Sequence, residues 1–89
     1  MATVIIEKLT EEEIARRGIR SWPVWEKEAS RFSWTYDAEE QCLILEGDVV
    51  IETTDDNFSL KPGDFVTFEI GLECVWDIRS AVKKHYHFS

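Results

Sequence analysis

The sequence predicts a single all-β domain, an antiparallel β-barrel preceded by one short N-terminal helix. Three features carry that expectation. From Phe32 onward, short runs of β-branched and aromatic residues alternate with Gly, Pro, Asp and Asn, with turn signals roughly every 8 to 12 residues. One helix start is legible, near the N-terminus, and none follows it. The 89 residues suffice for one core and not for two.

Each element has a local reason. Thr3 to Lys8 (T-V-I-I-E-K) is β-branched and reads as a first strand. Thr10 followed by Glu11, Glu12 and Glu13 is a capping box with acids in the first turn, so a helix runs from there to about Arg17. Gly18 suits the position just past its end. Pro23 forces an extended path through Ser21-Trp22-Pro23-Val24-Trp25, whose two Trp are expected to clamp this arm onto the body. The strands then expected are Phe32–Tyr36, Gln41–Glu46, Val49–Thr54, Phe58–Leu60, Phe65–Phe68, Glu73–Ile78 and Val82–Phe88. Between them lie Gly47-Asp48, Asp55-Asp56-Asn57, Lys61-Pro62-Gly63-Asp64 and Ile70-Gly71. Pro62-Gly63 is the central pair of a type II turn, where Gly supplies the positive φ. The whole chain, 1–89, reads as one domain, with strand, helix and Trp-containing arm in 1–31 and the barrel in 32–88.

Charge and composition exclude several functions. Ten basic and eighteen acidic residues leave a net charge of −8, which repels phosphate backbones and anionic lipid. No nucleic-acid or membrane partner is expected. Met1 to Ile6 is too short an apolar run for a signal peptide, and no stretch approaches the roughly 20 apolar residues of a membrane span. Cys42 and Cys74 lack C-x-x-C spacing and read as buried, reduced thiols of a cytoplasmic protein. Four Trp, two Tyr and five Phe are generous for this length and suit a pocket wall as well as a core.

The spacing of several of these residues resembles a known family. Cupins carry two motifs, G-x5-H-x-H-x3,4-E-x6-G and G-x5-P-x-G-x2-H-x3-N. Here Trp34-x-Tyr36-x3-Glu40-x6-Gly47 fits the first from its His pair onward, and Gly63-x5-Glu69-x-Gly71-x2-Cys74-x3-Ile78 fits the second. The resemblance spans residues 32 to 78 and implies a single cupin (jelly-roll) antiparallel β-barrel. In metal-binding cupins the two His, the Glu and the second-motif His hold one divalent ion. Those positions are occupied here by Trp34, Tyr36, Glu40 and Cys74. The stretches W-P-x-W-E-K-E, F-x-W-x-Y-D and G-L-E-C-x-W are similar to small cupins grouped with the ureidoglycine aminohydrolase domain. That similarity implies manganese-assisted C–N hydrolysis of an amidine or ureide.

Weighing the residues gives a site expectation. Alternation, by analogy with cupins, turns Trp34, Tyr36, Glu40, Cys42 and Ile44 inward, and gives Cys74, Trp76 and Ile78 one shared face. Trp34, Tyr36, Glu40, Cys74 and Trp76 are therefore the pocket candidates, with Cys42, His85 and His87 behind them. The set suits a small ligand with an apolar body and one polar or cationic group. An inward Glu40 needs a partner or a raised pKa. No metal or other cofactor is expected, because Trp cannot ligate and a Glu/Cys pair leaves a divalent ion short of donors. Were Mn, Zn or Fe bound, Glu40, Cys74 and His85 or His87 would hold it. The two His share a face opposite Val82, Tyr86 and Phe88, and are expected to be exposed or at a subunit contact. Lys83-Lys84 reads as solvated surface charge. Three readings follow: a metal-free small-molecule binder, a metal-dependent hydrolase, and a structural or regulatory homodimer whose first strand pairs across subunits.

Overall fold

The computed structural model describes residues 2–89; Met1, the first residue of the expected domain and of the short apolar N-terminal run, lies outside the described residues. Among the described residues are seven strands, one α-helix and one 3-10 turn: β1 (Val4–Lys8), α1 (Glu11–Arg16), the 3-10 turn Ile19–Ser21, β2 (Val24–Lys27), β3 (Ser30–Thr35), β4 (Glu40–Glu52), β5 (Asn57–Leu60), β6 (Asp64–Phe68) and β7 (Glu73–Phe88). All pair antiparallel, in the order β1-β6-β4-β7-β2, with β3 added to β7 and β5 to β4.

Two long strands organise the molecule. Gly47-Asp48 is not a turn, and residues 79–81 are not a break. β4 and β7 each run through, pairing with one another from Glu40↔Phe88 to Glu52↔Val75 with register shifts between Ile44 and Val49. Those shifts divide the sheet. On one side of them lie β1, β6 and β2; on the other lie β5 and β3. Gly47 permits the bulge because its φ is 112°, and a Cβ there would stand 2.7 Å from the Ala81 carbonyl oxygen.

The N-terminal segment belongs to this sheet. β1 pairs with β6 through Val4↔Phe68 to Lys8↔Asp64, and β2, not expected as a strand, pairs with β7 from Val24↔His85 to Lys27↔Val82. The helix forms as its capping box predicts. Thr10 Oγ1 accepts from the Glu13 backbone at 3.1 Å, and Glu13 Oε1 accepts from the Thr10 N–H at 3.2 Å. Such a cap contributes about 1 kcal/mol. Gly18, at φ 66°, turns the chain out of the helix into the 3-10 turn.

Two cores result. The larger lies between the two halves of the sheet and holds Cys42, Ile44, Val49, Ile51, Leu60, Val66, Phe68, Trp76 and Val82 among others. The smaller lies on the opposite face, where Ile14 and Ile19 cover Leu43 and Phe65 with Leu9, Trp22 and Leu45 at its margin. β6 therefore buries both faces, and all five of its residues are buried. That is why its apolar run does not alternate.

Candidate functional site

Strand parity builds the site. On β7 the side chains of Trp76, Lys84, Tyr86 and Phe88 point between the two halves of the sheet, where Phe32 and Trp34 from β3 meet them. β2 contributes Trp25, the loop after β3 contributes Tyr36, and the first residue of β4 is Glu40. Together they enclose a cavity of about 260 Å³. Seven of its nine lining residues are aromatic.

The polar floor is one ion pair. Lys84 Nζ donates to Glu40 Oε2 at 2.7 Å, with side-chain exposures of 6% and 4%. The ammonium also lies 4.5 Å from the Trp76 ring centroid and 5.0 Å from that of Trp25. One buried positive charge is thus satisfied by a carboxylate and two π faces. Tyr36 stacks on Phe68, with centroids 4.9 Å apart, and its hydroxyl accepts from Trp76 Nε1 at 3.2 Å. Burial, and then the neighbouring Glu40 charge, push the Tyr36 phenol far above its usual value, so it remains a neutral hydroxyl.

The structure divides the expected site residues. Tyr36, Glu40 and Trp76 are buried at the cavity, and Trp34 stands at its mouth, 48% exposed, rather than inside the core. Cys74, which pairs with Trp34 across the ladder, is buried in the larger core and does not line this cavity. Its thiol is pushed up to about 11, by burial first and by Glu40 second. Cys42 is fully buried and pushed up to about 12. Both are inert thiols.

The histidines lie on the other face. His85 is 9% exposed, so it is neither exposed nor left to a partner subunit. Its Nδ1 donates to the Trp22 carbonyl at 3.0 Å, the direction being fixed because a carbonyl only accepts. His87 is exposed and stacks on the Trp22 ring at 5.2 Å. Trp22 is thus the clamp that the arm was expected to supply, whereas Trp25 belongs to the pocket.

Lys84 is the residue that sequence reasoning misassigned as surface charge. The signal was available, since Lys84 has the same parity as Val82, Tyr86 and Phe88, the face read as apolar. An inward Glu40 also required a partner. Trp25 and Phe32 carried no such signal, because their strands reach the pocket only through pairing with β7.

The donor set does not fit a divalent ion. Glu40 is committed to an ammonium, Cys74 is a protonated thiol, Trp34 offers no lone pair, and both histidines face away. Among the described residues no group of three or more His, Cys, Asp and Glu is placed to hold a metal.

Known proteins resemble this one closely. The sequence pattern of the EutQ-like cupin domain matches residues 14–86. A DUF861 family protein from Thermotoga maritima is 44% identical, with a TM-score of 0.94 over 98% of this chain and 100% of that one. A DUF861 family protein of unknown function from Pseudomonas syringae is 25% identical, with a TM-score of 0.68 over 74% of this chain but only 29% of that one. A putative ethanolamine utilization protein Q from Salmonella typhimurium shares the fold, at 18% identity and a TM-score of 0.67 over 96% of this chain and 68% of that one. No curated protein matches the sequence.

Proposed function

The chain belongs to the EutQ-like cupin family and has the all-β jelly-roll fold, and we propose that it binds a small organic molecule in the aromatic cavity without a metal. The observation that carries this reading is the buried Glu40–Lys84 pair, set at the floor of a cavity whose other walls are aromatic. A few placed polar groups in an apolar pocket fix a ligand's orientation, and the Lys84 ammonium is one that can meet a ligand oxygen. The cavity of about 260 Å³ accepts a molecule the size of one substituted ring. Because Glu40 is already neutralised by Lys84, the pocket favours a neutral group over the cationic one that an isolated carboxylate would attract.

Ureidoglycine aminohydrolase chemistry would route through a metal. Of the residues that would hold it, Glu40 is paired with Lys84, Cys74 lies off the cavity, and both histidines are on the other side of the sheet. The cytoplasmic setting and homodimer expected from the sequence stay within the proposal. The dimer has a specific motive in β1, an edge strand with Ile5 41% and Ile6 38% exposed.

Tryptophan fluorescence tests the pocket directly, since Trp25, Trp34 and Trp76 line it. Neutral benzyl compounds should change the emission with saturation, and Trp34→Ala should weaken that response. Saturable binding that Trp34→Ala, Trp76→Phe and Lys84→Met all leave untouched would place the ligand elsewhere.

A further inference from the structure

We infer that Lys84 is a carbonyl-capturing amine, forming a reversible imine with a small aldehyde or ketone that enters the aromatic cavity. Resting on the cavity's being a ligand site, this names both the substrate class and the reacting atom.

Three observations converge. Lys84 is one of the residues that line the cavity, with its side chain only 6% exposed, so a molecule in the cavity lies against it. A proton acceptor, Glu40 Oε2, stands 2.7 Å from Nζ. The rings of Trp76 and Trp25 face the nitrogen at 4.5 and 5.0 Å, so one positive charge at that point is already stabilised. Imine chemistry keeps that charge where it is. Lys84 passes one ammonium proton to Glu40, and the freed amine attacks the carbonyl carbon as the C=O π pair moves to oxygen. A second proton moves from nitrogen to that oxygen, giving the neutral carbinolamine. Glu40 then returns its proton to the hydroxyl, the C–O bond breaks, and water leaves. The product is an iminium beside a carboxylate, the charges the pocket held at the start. Three ammonium hydrogens become one on the iminium and two on water, and nothing is oxidised or reduced. An anionic ligand would instead put a second negative charge beside Glu40.

The test treats the full chain with benzaldehyde and sodium cyanoborohydride and maps the benzylated lysines by mass spectrometry. Lys84 is expected to be labelled faster than Lys8 and Lys61, which are exposed, and benzyl alcohol is expected to protect Lys84 alone. Glu40→Gln, which retains an acceptor but cannot carry the proton, should slow labelling at Lys84 about 100-fold, the usual scale of general acid–base assistance. Lys84 labelling no faster than Lys8 in the unmodified protein overturns the inference, whether or not the variant folds. If benzyl alcohol perturbs the tryptophans but benzaldehyde leaves Lys84 unlabelled, the imine fails while the pocket stands. If benzyl alcohol has no effect on the tryptophans, the pocket itself fails.

Discussion

Lys84 and His85 are chain neighbours on β7, and the structure buries both, on opposite faces and by different means. Lys84 is enclosed by a carboxylate and two indole rings inside the larger core. His85 sits under the N-terminal arm, where one backbone carbonyl takes its Nδ1–H and Trp22 lies beside it. The inner face has invested in charge, and the outer face in covering. A buried charge needs an opposite charge held in place, which makes the inner region intolerant of single changes. The outer region needs only that the arm stay down. Ligand chemistry belongs with the first and stability of attachment with the second.

The sharpest way to break this contrast is to remove one member of the ion pair. Lys84→Met should cost about 3–5 kcal/mol in urea unfolding, because Glu40 is left as an uncompensated buried carboxylate. The double variant Glu40→Leu, Lys84→Met should recover most of that, to within about 1 kcal/mol of the parent. Additive losses in the two single variants and the double would mean that the groups do not face each other in solution.

On the outer face the effect should be smaller. Trp22→Ala removes a half-buried ring that touches Phe65 and His87, and should cost about 2 kcal/mol, below the usual range for a fully buried Trp. Binding of a neutral benzyl compound should be unchanged, because Trp22 does not line the cavity. A large loss of affinity in Trp22→Ala would show that the two faces are coupled through β7 and would blur the distinction.

What the sequence makes legible follows the same division. The turn at Pro62-Gly63 between β5 and β6, the capped helix and the first strand depend on local chemistry, and all appear where their residues put them. Gly47-Asp48 reads as a turn in the sequence because a glycine beside an aspartate usually is one. The register shifts between β4 and β7 make it a bulge, and the close approach of the Ala81 carbonyl across the sheet keeps the position for glycine. Tyr36, Glu40 and Trp76 reached the cavity by alternation from the motif spacing. Lys84 was legible in parity and illegible in composition, since a Lys-Lys pair near a terminus is ordinarily solvated. The histidines could not be placed at all without knowing that residues 19–22 fold over the outer face.

The buried thiols and phenol sharpen the comparison through pH. Cys42 is raised from its usual 9.0 to about 12 and Cys74 to about 11, each chiefly by burial, while Tyr36 moves in the same direction. A neutral acid whose pKa is raised on folding stabilises the native state below its unfolded pKa, and that contribution is lost as the pH climbs through the folded value. Stability should therefore hold up to about pH 9 and fall between roughly 9 and 12, with all three groups on the inner side. Iodoacetamide at neutral pH should leave both thiols unmodified until urea unfolds the chain. Rapid native labelling of Cys74 would mean that the core between the sheet halves opens to solvent.

The smallest expected effect on stability is also the most selective on function. Trp34 is 48% exposed at the cavity mouth, so Trp34→Ala should change the urea midpoint by no more than about 0.5 kcal/mol, as surface substitutions usually do. The same change removes one wall of the pocket and should weaken binding of a neutral benzyl compound by about tenfold, the equivalent of one aromatic contact. Trp76→Phe, by contrast, removes the indole N–H from Tyr36 and leaves a smaller, weaker π face to the Lys84 ammonium, so it should affect stability and binding together. The rim and the floor of one pocket are thereby separable, because only the floor carries a buried charge that the fold must also satisfy. Equal stability losses at Trp34 and Trp76 would place the mouth of the cavity inside the core and undo that separation.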